Sequence, residues 1–124
     1  MLLQDRRHFL FLKDPFDNDK TSLHILARRN QPHLLKKLVG SGELDLLKVK
    51  DASGFTLLHV AAECGQANVV RTILKMDPEI WREKNKKRRT VYHTAAYEGQ
   101  AEVLEALFDA AGLEGFLCNL FVIG

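Results

Sequence analysis

Three ten-residue stretches constrain this chain more than anything else in it, because they copy one another at near-constant spacing. The central one is Thr56-Leu57-Leu58-His59-Val60-Ala61-Ala62-Glu63-Cys64-Gly65. The same pattern appears 35 residues earlier as Thr21-Ser22-Leu23-His24-Ile25-Leu26-Ala27-Arg28-Arg29-Asn30, and 34 residues later as Thr90-Val91-Tyr92-His93-Thr94-Ala95-Ala96-Tyr97-Glu98-Gly99. The likeness extends downstream of each core, through Leu34-Leu35-Lys36-Lys37-Leu38-Val39, Val69-Val70-Arg71-Thr72-Ile73-Leu74 and Val103-Leu104-Glu105-Ala106-Leu107-Phe108. A repeat of this length marks a stack of units, none of which buries its apolar face alone.

The residues within each copy specify a helical hairpin. Thr21, Thr56 and Thr90 stand where a hydroxyl accepts from a free N–H at a helix start, satisfying one of four orphan donors. Ala27, Ala61, Ala62, Ala95 and Ala96 are small enough for neighbouring helices to approach closely. Gly65 and Gly99 end the first helix at a position that suits positive φ, and Asn30, the next best residue there, replaces them in the first copy. A second helix follows at once, with Val69, Val70, Ile73 and Leu74, or Val103, Leu104, Leu107 and Phe108, forming one apolar face. Pro32 falls in the first turn of such a helix, where a missing N–H costs nothing. Asp77-Pro78 closes another.

A unit near 33 residues with a T-P-L-H-x-A core is the signature of ankyrin repeats, and this chain resembles that family from about Asp17 to Gly112. The resemblance implies an all-α fold: an ankyrin-repeat solenoid of three stacked helix-turn-helix units with connecting finger loops, over about 17–50, 51–84 and 85–112. It also implies that His24, His59 and His93 bond locally and to adjacent backbone, joining one repeat to the next. Asp51-Ala52-Ser53-Gly54-Phe55 matches the family's D-x-x-G-x finger. Asp19 and Arg88 stand at the Gly54 position of the other two fingers. An Arg at positive φ costs on the order of 1 kcal/mol or more, so the third finger is expected to be irregular.

The ends of a stack lack a neighbour and need covering. Residues 1–16, with Leu2, Leu3, Phe9, Leu10, Phe11 and Leu12 between charged residues, are expected to form an N-terminal capping helix. Residues 113–124 form a hydrophobic tail that matches no fourth repeat and lacks a polar outer face. Two readings stay open for it: an improvised cap folded over repeat three, or a self-associating face where further repeats or a partner pack.

Chemistry finds little purchase. The equivalent histidines of successive units sit roughly 10 Å apart, the spacing of packed helices, whereas zinc ligands lie near 2 Å from one ion; no metal and no cofactor are expected. Cys64 and Cys118 form no C-x-x-C pair. No phosphate-binding glycine motif and no nucleophile–base–orienter set is present, so the protein is expected not to be an enzyme. Neither a leader segment nor a membrane span is expected, since the run 116–123 is far short of the ~20 residues a spanning helix needs. The net charge of +2 conceals an asymmetry: Arg82 to Arg89 holds six basic residues and one acid, while the chain after Arg89 holds five acids and no Lys or Arg. A cytoplasmic location is expected, with the run Lys84 to Arg89 leaving a nuclear one open.

By resemblance, the expected function is a non-catalytic protein–protein interaction module that holds a partner, another protein, on its concave face and finger loops. The groove-facing positions of the family pattern are Asn18, Lys20, Ser53, Phe55, Lys86, Lys87 and Arg89 on fingers, and Arg28, Arg29, Glu63, Tyr97 and Glu98 on inner helices. Phe55 and Tyr97 are the expected anchors, because large aromatics carry disproportionate binding energy. Two alternatives accompany this reading. One is a fragment or short regulatory form of a larger ankyrin-repeat protein, acting in cis or by competition. The other is nucleic-acid binding through residues 84–89, disfavoured by the acidic surface that follows.

Overall fold

The computed structural model describes residues 12–40 and 44–122, and the side chains of that range except those of 44, 111 and 113–122. Among the described residues there are six α-helices, two 3-10 turns and no strand. The inner helices are α1 (Ser22–Arg28), α3 (Leu57–Glu63) and α5 (Val91–Tyr97); the outer helices are α2 (Pro32–Val39), α4 (Ala67–Met76) and α6 (Ala101–Val122). Each inner helix packs on its own outer helix. The inner helices also pack in sequence on one another, as do the outer ones, so the molecule is a stack of three helical hairpins.

The repeated Thr-x-x-His starts each inner helix and, in the first two repeats, joins it to the next. The Thr21 N–H donates to His24 Nδ1 at 3.1 Å and the Thr56 N–H to His59 Nδ1 at 3.3 Å. With Nδ1 accepting, the proton of a neutral imidazole sits on Nε2 and points outward. It is received by the next finger: His24 Nε2 lies 2.9 Å from the Phe55 carbonyl, and His59 Nε2 lies 3.2 Å from that of Arg89. Both rings are buried, and burial is the main reason their pKa values fall, that of His59 to about 4. Neutral histidines, each spent on two fixed bonds, explain their spacing without a metal.

A second set of bonds repeats with the stack. Gln66 Nε2 donates to the Arg28 carbonyl (2.9 Å) and Gln100 Nε2 to that of Glu63 (3.1 Å). Lys13 Nζ reaches the Lys50 carbonyl (3.3 Å), and Lys50 Nζ reaches that of Lys84 (2.9 Å). Finger joins finger through Ala52 N–H to Asn18 O (2.8 Å) and Lys86 N–H to Ser53 O (3.0 Å). Within the hairpins Leu23, Leu57, Leu58, Val69, Val70, Ile73, Val91, Val103 and Leu107 form one continuous interior.

The third finger is regular, contrary to the expectation drawn from Arg88. Asn85 Oδ1 accepts from Lys87 N–H (2.9 Å) and Arg89 N–H (3.0 Å), as Asp51 Oδ1 accepts from Ser53 N–H and Phe55 N–H, each 2.9 Å. Arg88 takes φ 61° and Asp19 φ 59°, against 80° for Gly54. The Asn85 cap and the Lys86–Ser53 bond hold the turn closed in spite of the strain at Arg88.

The expected capping helix over 1–16 lies largely outside the described residues. Of its end, Asp14 to Phe16 belong to the first finger, which Asp14 N–H closes on the Lys20 carbonyl (3.0 Å). In the tail, α6 runs to Val122 with a break at Gly112, whose φ is 66° and ψ −164°. The tail's side chains lie outside the described residues, and with them the choice between its two readings. Among the described residues no helix is long and apolar enough to cross a membrane.

Candidate functional site

The stack leaves a groove of about 660 Å³ between the second and third fingers and the C-terminal ends of α3 and α5. Eight of the twelve residues read as groove-facing line it. Ser53, Phe55, Lys86, Lys87 and Arg89 come from the fingers, and Glu63, Tyr97 and Glu98 from the inner helices. The fingers place them because Asp51 and Asn85 turn the chain back on itself at the same distance from Thr56 and Thr90.

The remaining four are placed elsewhere, around repeat one. Lys20 is almost buried, its ammonium 2.9 Å from the fully buried carboxylate of Asp51. Asn18 Nδ2 donates to Ser53 Oγ at 2.9 Å. Arg28 pairs with Asp17 at 3.0 Å, and the guanidinium holds that carboxyl below its ordinary range. Arg29 caps α1 and is exposed.

The groove has two signs and an aromatic floor. Lys86, Lys87 and Arg89 make the finger side basic, while Glu63 and Glu98 make the helix side acidic. Burial raises the Glu63 pKa, and the nearby Glu98 charge adds to the effect. Tyr97 is 81% exposed, whereas Phe55 is half-buried with its ring 5.4 Å from that of His59. Glu63 ends α3 and Glu98 caps α5, both at the negative end of a helix dipole, where an acid loses roughly 0.3–1 kcal/mol. At the matching positions repeat one has Arg28 and Arg29, which the dipole favours. The acids are therefore a cost to the local helix, and they lie where the groove is.

Ala52, Asn85, His93 and Thr94 also line the groove and were not among the predicted positions. His93 stands at the position of His24 and His59, each of which meets the carbonyl of a following finger, and among the described residues no finger follows α5. Its pKa is lowered chiefly by burial, with help from the charges of Arg89 and Lys84.

The arrangement offers contact and little reactivity. Partial burial pushes the Cys64 thiol up, away from the thiolate that a nucleophile needs. Among the described residues no group of three His, Cys, Asp or Glu side chains could hold a metal ion. Trp81 and Tyr92, which flank the basic run, are buried edge-to-face with centroids 5.8 Å apart, so neither offers a stacking platform to a base.

Comparison with known proteins agrees with this architecture. The family described as ankyrin repeats (3 copies) matches residues 7–84 and 23–116. Over 97 residues the chain is 33% identical to an ankyrin repeat-containing protein of Arabidopsis thaliana, covering 74% of this chain and 18% of that one. It is 38% identical over 66 residues to Delta-latroinsectotoxin-Lt1a of Latrodectus tredecimguttatus, covering 52% of this chain and 5% of the toxin. It is 35% identical over 92 residues to a probable E3 ubiquitin-protein ligase of Oryza sativa subsp. japonica, covering 73% of this chain and 20% of that protein. The chain thus spans a small part of the length of each relative.

Proposed function

This chain belongs to the ankyrin-repeat family, a family of general protein–protein interaction modules, and from that premise we propose that the groove between fingers two and three holds its partner. The partner is a protein segment that lays an acidic stretch along Lys86, Lys87 and Arg89 and a basic group against Glu63 and Glu98. Tyr97 is the anchor, because a large exposed aromatic at the centre of such a surface carries a large share of binding energy, while the flanking charges set orientation and encounter rate. The observation that carries this reading is the pair of acids held against two helix dipoles at the groove. Action is by binding, without catalysis, in the cytoplasm or nucleus.

The test is affinity capture by the intact chain beside Tyr97→Ala and a Phe55/Tyr97 double alanine variant. Tyr97→Ala should weaken capture by roughly tenfold or more with helical content unchanged, and raised salt should slow association. Equal recovery by all three proteins would remove the groove from consideration. The second reading, a segment of a larger repeat protein, is supported by the small share of each relative that the chain spans.

A further inference from the structure

The three repeats make the same demands at each stacking interface, and at the ends of the stack some of them find no partner among the described residues. On the side facing the following repeat, Ala27 and Ala62 are fully buried and their equivalent Ala96 is exposed. His24 and His59 each meet a finger carbonyl through Nε2, and among the described residues His93 Nε2 meets none. The Arg28 and Glu63 carbonyls each receive a glutamine amide; the equivalent Tyr97 carbonyl receives none among the described residues. A Cβ on Gly65 would strike the Gln100 amide at 2.6 Å, while nothing stands within 4 Å of one on Gly99.

Repeat one carries the missing counterparts on its opposite, outward face. Gln31 is the equivalent of Gln66 and Gln100, is exposed, and has no side-chain partner among the described residues. Among the described residues the Lys20 carbonyl, equivalent to those of Phe55 and Arg89, receives only its own finger's Asp14 N–H. Leu34 is 48% exposed where Val69 and Val103 are fully buried. The fit differs at Leu26, which adds apolar bulk where Ala61 and Ala95 stand. Charge agrees as well: outer helix α2 carries Lys36 and Lys37 and no acid, whereas α6 begins with Glu102, Glu105 and Asp109 and no base.

We propose that the chain associates with a second copy of itself head to tail, the exposed face of repeat three receiving the outward face of repeat one as a fourth repeat. Where repeats one and two pass through a 3-10 turn into a finger, repeat three continues as helix past Gly112 to Val122, so among the described residues no finger carbonyl of its own chain stands beside His93. In the assembly His93 donates to the partner's Lys20 carbonyl, and the partner's Gln31 amide covers Gly99 and donates to the Tyr97 carbonyl. Such a contact joins two different faces, so it propagates rather than closing.

Sedimentation velocity of the 124-residue chain from micromolar to millimolar concentration tests this, with Ala96→Arg blocking one face and Leu34→Glu the other. Both side chains are exposed, and thermal unfolding checks that each variant keeps its fold. The wild-type chain should grow beyond a dimer with concentration, and each variant alone should lose at least about tenfold in association constant. An equimolar mixture of the two, with one intact face each, should stop at a one-to-one dimer. A wild-type monomer throughout, a closed dimer, or association that persists unchanged in either variant would each overturn the proposal.

Discussion

At the scale of single residues, the histidines are structural ties whose strength depends on staying neutral. His59 titrates near 4 in the folded chain against 6.5 as an unperturbed group, because burial penalises its charged form. The unfolded chain takes up that proton first as pH falls, so the stability is complete above pH 6.5 and declines toward pH 4. The loss from this group is bounded by roughly 3 kcal/mol. Urea unfolding across that window should show the midpoint falling with pH, and His59→Gln should flatten the slope while lowering stability at neutral pH. The glycines that end α3 and α5 permit a paired comparison. Both adopt positive φ, so Gly65→Ala and Gly99→Ala share a strain of about 1 kcal/mol or more. Gly65→Ala also displaces Gln100 from its bond to the Glu63 carbonyl, which adds about 1 kcal/mol. Equal losses in thermal melts would mean that the Gln100 bond contributes nothing.

At the scale of elements, the fingers show why a substitution that looks disruptive can be absorbed. Arg88 occupies a left-handed conformation that glycine would adopt at less cost, and the turn survives because Asn85 accepts both finger amides. Arg88→Gly should therefore raise stability by roughly 0.5–1 kcal/mol, the left-handed strain relieved less the entropy glycine adds to the unfolded chain. A lower melting temperature for that variant would show that the Arg88 side chain does more than tolerate its position. The fingers also hid part of their own pattern. Lys13, Lys50 and Lys84 form one series of rungs, yet the first finger closes between Asp14 and Lys20, two residues longer than the spans Asp51 to Phe55 and Asn85 to Arg89. Fixed-period comparison therefore slips past Lys13.

At the scale of the whole molecule, each repeat contacts its neighbours alone, so stability is a sum of units and interfaces. The joint between repeats one and two depends on Asp51, whose buried carboxylate receives Ser53 and Phe55 amides and the Lys20 ammonium. Removing one partner of a buried pair leaves the other charge uncompensated, at a cost of about 3–5 kcal/mol. In Asp51→Ala, hydrogen exchange in α1 and α2 should accelerate far more than in α5, because the second joint is untouched. Uniform acceleration across all three repeats would mean that the stack melts as one unit. The same nearest-neighbour logic gives the end faces their character: what is interior in the middle of the stack is surface at its ends.

The sequence alone determined the local grammar of the protein. Thr-x-x-His, the small residues after it and the Gly or Asn that follows specify a capped short helix wherever they occur, because capping, helix termination and apolar periodicity act over a few residues. Eight groove residues were legible for the same reason, as non-motif positions on a known unit. Only the tertiary structure decided that Lys20 and Asn18 are spent on Asp51 and Ser53, since the energy of a buried charge depends on what the next repeat brings to it. It also decided that Arg88 holds a regular finger, and that Ala96 is surface where Ala62 is core. The first and last of those outcomes depend on contacts more than thirty residues apart in the chain, where the identity of a residue says nothing until the stack gives it a neighbour.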